Sequence, residues 1–438
     1  MDITYIQPNM LKGTVQAPPS KSVAHRAIIA AALSGGRCRI RNVAMSKDIQ
    51  ATLECMQTLG ANIRFDEKKG EVILDARAEK SLPKALTMEC FESGSTLRFL
   101  IPLGLLTGRS ITFTGEGRLM QRPQKPYADL FAKKGISYIQ EEDRIHVKGT
   151  LKPGLFKLAG NVSSQFITGL LFALPLLEGD SEIQLTTLLE SKGYVDLTLQ
   201  VLREFGIEIE NRNYRRFIIP GGQTYQPRDY TVEADYSQAA FFLVAGALGC
   251  DVRVGGLKKE SLQGDKKILQ LLQEAGAKLE EYEDATIQVR RTDSMHGIRI
   301  DAGEIPDLVP ILAVLCAFCK GESLIYNAGR LRMKESDRLS ATASELRHLG
   351  VQIEEGADYL KIVGGEVICG TTVSSWNDHR IAMALAIAAC RAEGEVAIVD
   401  AKKAVAKSYP DFFEVYTSLQ TGPEVLLKAN AMIVEETV

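Results

Sequence analysis

The chain has 438 residues and a mass of 48.0 kDa, 45% apolar and 24% charged, the balance of a globular protein with room for two or three domains. Its 52 basic residues against 55 acidic ones leave a net charge of −3 and a pI of about 6.1, which argues against bulk electrostatic attachment to nucleic acid or to an anionic membrane. The opening MDITYIQPNMLKG lacks a basic start followed by an apolar stretch, and the longest apolar run, Phe166–Leu177, is too short to span a bilayer and is broken by Gly169 and Pro175, so a cytoplasmic protein is expected.

Taken in chain order, six apolar stretches of helical length each stop at a glycine: Gly35, Gly108, Gly179, Gly249, Gly321 and Gly394. Between them run amphipathic helices that also stop at glycine and lead into an alternating strand: MQTLG-ANIRF at Gly60, FAKKG-ISYIQ at Gly135, LREFG-IEIEN at Gly206, LQEAG-AKLEE at Gly276 and LRHLG-VQIEE at Gly350. Gly422 fits a degenerate sixth member. Both series recur about every 72 residues, so the chain reads as six copies of one α/β unit. Glycine is expected after a helix because that position often turns left-handed, which other residues adopt at a cost. The apolar helices are hydrophobic nearly all round and should be buried, with sheets packed outside them. Two groups of three units make two globular halves, with a boundary expected in the turn-rich Pro220–Asp229 and the strand after it: residues 20–234 as the first domain, 1–19 plus 235–438 as the second.

The six apolar helices begin in PSKSVAHR, ESGSTLRF, VSSQFITG, DYSQAAFF, IPDLVPIL and NDHRIAMA, rich in the Ser, Asp and Gly that cap helix starts. Three also carry cations in the first turn: Lys21 and Arg26, then Arg98, then Arg380. A cation there opposes the helix dipole, and a bound anion reverses the sign. Ser163-Ser164-Gln165 offers further donors at a fourth start. Basic loops add Arg118, Arg122 and Lys125, then Arg330, Arg332, Lys334 and Arg338 around Glu335 and Asp337, then Lys402, Lys403 and Lys407. Each alone fits a solvated charged face; together, in a protein of net −3, they point to a cleft for a polyanionic small molecule. Neither a phosphate-binding G-x-x-x-x-G-K-[ST] loop nor a G-x-G-x-x-G fingerprint occurs. The five histidines and eight cysteines are dispersed, and Cys316 and Cys319, the one C-x-x-C, sit in an apolar helical run, so they read as core and no metal site is expected.

The segments PPSKSVAHRAIIAAAL, SGSTLR, QRPQKPYADL, GNVSSQFITGLL, ESKGYVDLTL, VEADYSQAAFF, PDLVPILAV, RMKESDRL, NDHRIAMAL and AKSYPDFF run from Pro18 to Phe413, and with them the sequence resembles the enolpyruvyl transferases. The resemblance implies a two-domain inside-out α/β barrel of six βαβαββ-type repeats, three per domain, with the N-terminal strand crossing into the second domain. It also implies transfer of the enolpyruvyl group of phosphoenolpyruvate to the 5-hydroxyl of 3-phosphoshikimate through a tetrahedral intermediate, with release of phosphate. The alternatives are the sister reaction on UDP-N-acetylglucosamine and a non-catalytic polyanion-binding scaffold. Lys21-Ser22 in place of the sister branch's Lys-Asn, and the absence of a cysteine from GRLMQRPQKP, favour the phosphoshikimate branch.

By the same resemblance Asp307 would accept the hydroxyl proton, Glu335 would shuttle a proton at the methylene, and Lys21 would touch both substrates; the place of Asp307 just after Pro306 also reads as a helix N-cap, and one carboxylate can do both. Ser22, Arg26, Ser163, Ser164, Gln165, Ser191, Tyr194, Asp307 and Lys334 would hold 3-phosphoshikimate. Gly94, Arg122, Gln165, Arg338, Arg380 and Lys407 would hold phosphoenolpyruvate. Glu92, Arg330 and His25 stand where asparagines are common. A monomer without cofactor or metal is implied, its partners two small molecules, neither nucleic acid nor membrane.

Overall fold

The computed structural model describes residues 2–75, 82–365 and 367–420. The chain divides into two compact units, one of Pro19–Ala234 with Glu260–Gly264, the other of Met1–Pro18, Asp235–Lys259 and Asp265 onward. In chain order the helices are α1 (Lys21–Leu33), α2 (Lys47–Thr58), α3 (Gly94–Leu105), α4 (Lys125–Lys133), α5 (Ser164–Ala173), α6 (Lys192–Glu204), α7 (Tyr236–Ala247), α8 (Ile268–Glu274), α9 (Val309–Phe318), α10 (Arg338–His348), α11 (His379–Ala389), α12 (Ala401–Val405) and α13 (Phe412–Ser418). The odd members α1 to α11 are the apolar helices of the repeat. Every residue of α7, α9 and α11 is buried, as expected of helices without a polar face.

The repeat is equally plain in the sheets. In the first unit Ser110–Thr114 has Ala85–Glu89 parallel on one side and Arg144–Lys148 antiparallel on the other, with Ser137–Gln140 outermost. Gly154–Leu158, Ser181–Leu185, Arg216–Ile219 and Glu210–Arg212 repeat that order, as do Tyr230–Thr231, Arg37–Arg41, Glu71–Asp75 and Asn62–Asp66. In the second unit Lys12–Gln16 takes the parallel place beside Asp251–Gly255, and Arg299–Asp301 beside Gly321–Tyr326, each followed by its antiparallel hairpin. The sixth sheet has three strands among the described residues: Thr372–Ser374 parallel to Val396–Val399, and Ile3–Ile6 antiparallel to it. The expected sixth glycine, Gly422, lies outside the described residues.

The strands alternate as half-buried strands must. In Ser110–Thr114, Ile111 and Phe113 point inward and face Val147 and Ile145 of the partner strand. All eleven described glycines of the two series have positive φ, from +64° at Gly35 to +140° at Gly179. One glycine answers to packing instead. At Gly169 a Cβ would stand 2.3 Å from the Arg98 carbonyl oxygen, so α3 and α5 approach closely only because that atom is missing. Cys316 and Cys319 are buried in and after α9. Among the described residues no helix is long and apolar enough to cross a membrane.

Candidate active site

In the first unit, helix starts supply the polar groups. Ser20 caps α1 by accepting the Val23 N–H, Ser93 caps α3 through Thr96, and Ser163 caps α5 through Gln165. Lys21 pairs with Asp48, in the first turn of α2, at 2.6 Å. Arg26 is buried over the Phe99 ring and donates to the Thr198 hydroxyl at 2.8 Å, the Ser22 carbonyl at 2.7 Å and the Tyr194 carbonyl at 3.0 Å. Burial pushes its guanidinium down to about 10, with Tyr194 and Tyr230 opposing the shift. Ser22, Arg26 and Tyr194 are thereby drawn together, with Ser191 close by: it precedes α6, its φ is +57°, and its carbonyl receives the Tyr194 N–H at 3.2 Å.

A second arrangement joins α3 to α5. Arg98 lies over Phe166 and donates to the Gln165 amide oxygen at 2.6 Å, while the Gln165 amide donates to Ser95 at 3.0 Å. The Arg122 guanidinium rests against Gly94, where a Cβ would meet it at 3.0 Å. Gly94, Arg122 and Gln165 therefore sit in one framework. Within their loop Arg122 is buried, whereas Arg118 and Lys125 are exposed and Lys125 pairs with Asp129 at 2.9 Å.

The second unit assembles carboxylates with cations. Asp307 takes Lys334 at 3.2 Å and Arg338 at 2.9 Å on one oxygen, and Arg380 at 3.4 Å on the other. Arg338, 1% exposed, also meets Glu335 and Asp378 at 2.7 Å each. Burial alone would raise the Asp307 carboxyl, but Lys334, Arg380 and Arg338 hold it well below the usual carboxylate range. Burial pulls Lys334 down against the pull of Asp307. Lys407, buried while Lys402 and Lys403 are exposed, donates to the Asn377 carbonyl at 2.6 Å.

Asp307 is not the cap of its helix. It lies in the 3-10 turn Pro306–Leu308, and α9 begins after Leu308 without a side-chain cap, because the three cations hold the carboxylate. Glu335 falls in the turn ahead of α10 rather than on a helix face, paired to Arg338. Arg330 donates to the Gly303 carbonyl at 2.6 Å. His25 is buried against Thr52 at 2.7 Å, and burial, helped by Lys21 and Arg26, keeps it neutral. The residues missed by sequence are Asp48, Asp378 and the buried Ser237–Asp265 pair. Asp378, two residues before Arg380 in NDHR, carried a signal only as a helix cap.

The family model for EPSP synthase (3-phosphoshikimate 1-carboxyvinyltransferase) matches residues 6–416. A 3-phosphoshikimate 1-carboxyvinyltransferase of Clostridium perfringens is 48% identical over 420 residues, 94% of this chain and 97% of that protein. One from Clostridium novyi is 49% identical over 422 residues, 94% of this chain and 96% of that one. An EPSP synthase structure from Acinetobacter baumannii aligns with a TM-score of 0.78 at 25% identity, over 95% of this chain and 98% of that one. The enolpyruvyl transferase NikO of Streptomyces tendae shares the fold, with a TM-score of 0.77 at 19% identity over 96% of this chain and 99% of that one. With a match across nearly its whole length, this chain belongs to the EPSP synthase family.

Proposed function

We propose a division of labour for the transfer of the enolpyruvyl group from phosphoenolpyruvate to shikimate 3-phosphate, the reaction of the family to which this chain belongs. Asp307 accepts the proton of the attacking 5-hydroxyl, and Glu335 delivers a proton to the methylene and takes one back as phosphate leaves the tetrahedral intermediate. Lys21 assists at both substrates. Ser22, Arg26, Ser163, Ser164, Gln165, Ser191, Tyr194, Asp307 and Lys334 serve shikimate 3-phosphate; Gly94, Arg122, Gln165, Arg338, Arg380 and Lys407 serve phosphoenolpyruvate.

The observation that carries this reading is the Asp307 carboxylate ringed by Lys334, Arg338 and Arg380. With those cations against it, the carboxylate is a weak base. An anionic substrate that engages them relaxes the field on Asp307 and raises its basicity where a proton must be taken. Two three-repeat domains, a monomeric enzyme and a cytoplasmic location belong to the same reading. The burial of each unit's apolar helices and eight unpaired thiols support it. The test is phosphate release from phosphoenolpyruvate with shikimate 3-phosphate or UDP-N-acetylglucosamine as acceptor. Release with shikimate 3-phosphate alone is expected; release with the sugar nucleotide alone overturns the assignment of the acceptor site.

A further inference from the structure

The chain's one tryptophan occupies a backbone conformation that bulky side chains avoid. Trp376 and Asn377 both have φ of +52°, two consecutive left-handed residues, neither of them glycine. Such strain persists only where surrounding contacts over-determine it. The contacts are present. Glu345, on α10 and buried to 3% exposure, accepts the Trp376 indole N–H at 2.7 Å on one carboxylate oxygen and the Ser374 backbone N–H at 2.8 Å on the other. The Ser374 and Ser375 hydroxyls accept the backbone N–H groups of Trp376 at 3.1 Å and Asn377 at 3.3 Å. Beyond the turn, Asp378 caps α11 and pairs with Arg338. The direction of the Asn377 carbonyl is set by this twist, and that carbonyl receives the Lys407 ammonium at 2.6 Å.

We propose that Glu345 and Trp376 are positioning residues: their hydrogen bond holds the strained Trp376–Asn377 turn so that the Asn377 carbonyl fixes Lys407 for phosphoenolpyruvate. This rests on the assignment of Lys407 to that substrate. Glu345 and Trp376 need touch neither substrate, so their effect must pass through Lys407.

The experiment is a steady-state comparison of Lys407→Met, Glu345→Gln, Trp376→Phe and the double variant Glu345→Gln/Lys407→Met in the full chain. Glu345→Gln places an amide donor against one of the two N–H groups that the carboxylate now satisfies. Trp376→Phe keeps an aromatic ring but deletes the donor along with one ring of the indole. Each is expected to raise KM for phosphoenolpyruvate about tenfold, the worth of one charge-assisted hydrogen bond, with kcat and KM for shikimate 3-phosphate within about threefold. Lys407→Met raises the same KM at least as far, and adding Glu345→Gln to it brings no further rise. If Lys407→Met acts while Glu345→Gln and Trp376→Phe lower only Tm, the positioning role is overturned and the substrate assignment stands. Additive effects in the double variant overturn the route through Lys407. An unchanged KM in Lys407→Met overturns the substrate assignment of Lys407 and this proposal with it.

Discussion

Arg26 and Arg98 of the first unit and Arg338 of the second are held in opposite ways. In the first, Arg26 is held by one hydroxyl and two carbonyls, and Arg98 donates to an amide oxygen and a carbonyl; Lys21, paired with Asp48, is the exception. In the second, Arg338 meets Asp307, Glu335 and Asp378, and Lys334 and Arg380 share Asp307, whereas Lys407 and Arg330 donate to carbonyls. A guanidinium fixed by neutral acceptors keeps its charge for an incoming anion, and burial lengthens its reach. One ringed by carboxylates is neutralised, and its effect is to set how strongly those carboxylates hold protons. On the proposed assignment, the same repeat, with helix starts of the same kind, yields an anion receptor in one unit and an acid–base assembly in the other.

That contrast breaks or holds on substitution. Asp307→Asn keeps an acceptor for the surrounding cations but removes the proposed base, and kcat should fall by about 10²–10⁴. Glu335→Gln should cost kcat about 10² by the same argument at the methylene. Arg26→Gln should instead raise KM for shikimate 3-phosphate by about 10- to 100-fold, as expected for lost charge-assisted bonds, with kcat within a few-fold. Initial rates of phosphate release at varied concentrations of each substrate separate these outcomes. A collapse of kcat in Arg26→Gln equal to that in Asp307→Asn would mean that the receptor and the acid–base assembly are not distinct.

Much of this was legible in the sequence, for identifiable reasons. Gly35, Gly108 and their successors were readable because a left-handed residue after a helix leaves few choices of side chain. Ser20, Ser93, Ser163, Asp235 and Asp378 were readable because four unpaired N–H groups demand a nearby acceptor. Which basic residues are buried was not legible in composition or spacing, since burial is a tertiary property; the family resemblance, not the local pattern, singled out Arg122 and Lys407. Lys402, Lys403 and Lys407 look alike in KKAVAKSYPD, and only the last is buried. Asp307 was read as a cap from its place after Pro306, a local rule that three distant cations override. Asp265 and Glu345 gave no signal, because each works through partners remote in the chain: Ser237 for one, Ser374 and Trp376 for the other.

Asp265 sharpens the comparison on the acid–base side. Burial pushes its carboxyl up to about 7, neighbouring Asp307 and Asp235 add to the rise, and Arg380 and the Ser237 hydroxyl oppose it. The folded state thus holds a proton that the unfolded chain, with a carboxyl near the usual 3.8, gives up. The stability contributed by this group is fully present below about pH 4 and is lost as pH rises toward about 7, by up to about 1.4 kcal/mol per pH unit. Asp265→Asn removes the titration. Denaturant unfolding at pH 5, 6, 7 and 8 should show the variant gaining on the wild type as pH rises. A constant difference between them would mean that Asp265 is ionised throughout.

The smallest effect tests whether the two units share one backbone rule despite their different chemistry. At Gly35 in the first unit and Gly321 in the second, an added Cβ would meet nothing within 4 Å, yet φ is +64° and +89°. Alanine at either site therefore carries only the conformational cost, about 1 kcal/mol, and the two losses should be equal within error. Asparagine, which tolerates the left-handed region, should cost less than alanine at both. Gly276→Ala adds a steric cost, because its Cβ would stand 2.6 Å from the Ser294 carbonyl oxygen, and should lower Tm further than either. If Gly35→Asn and Gly35→Ala cost the same, then packing rather than φ governs the helix end. The glycine series would in that case mark a shared contact between repeats instead of a shared turn.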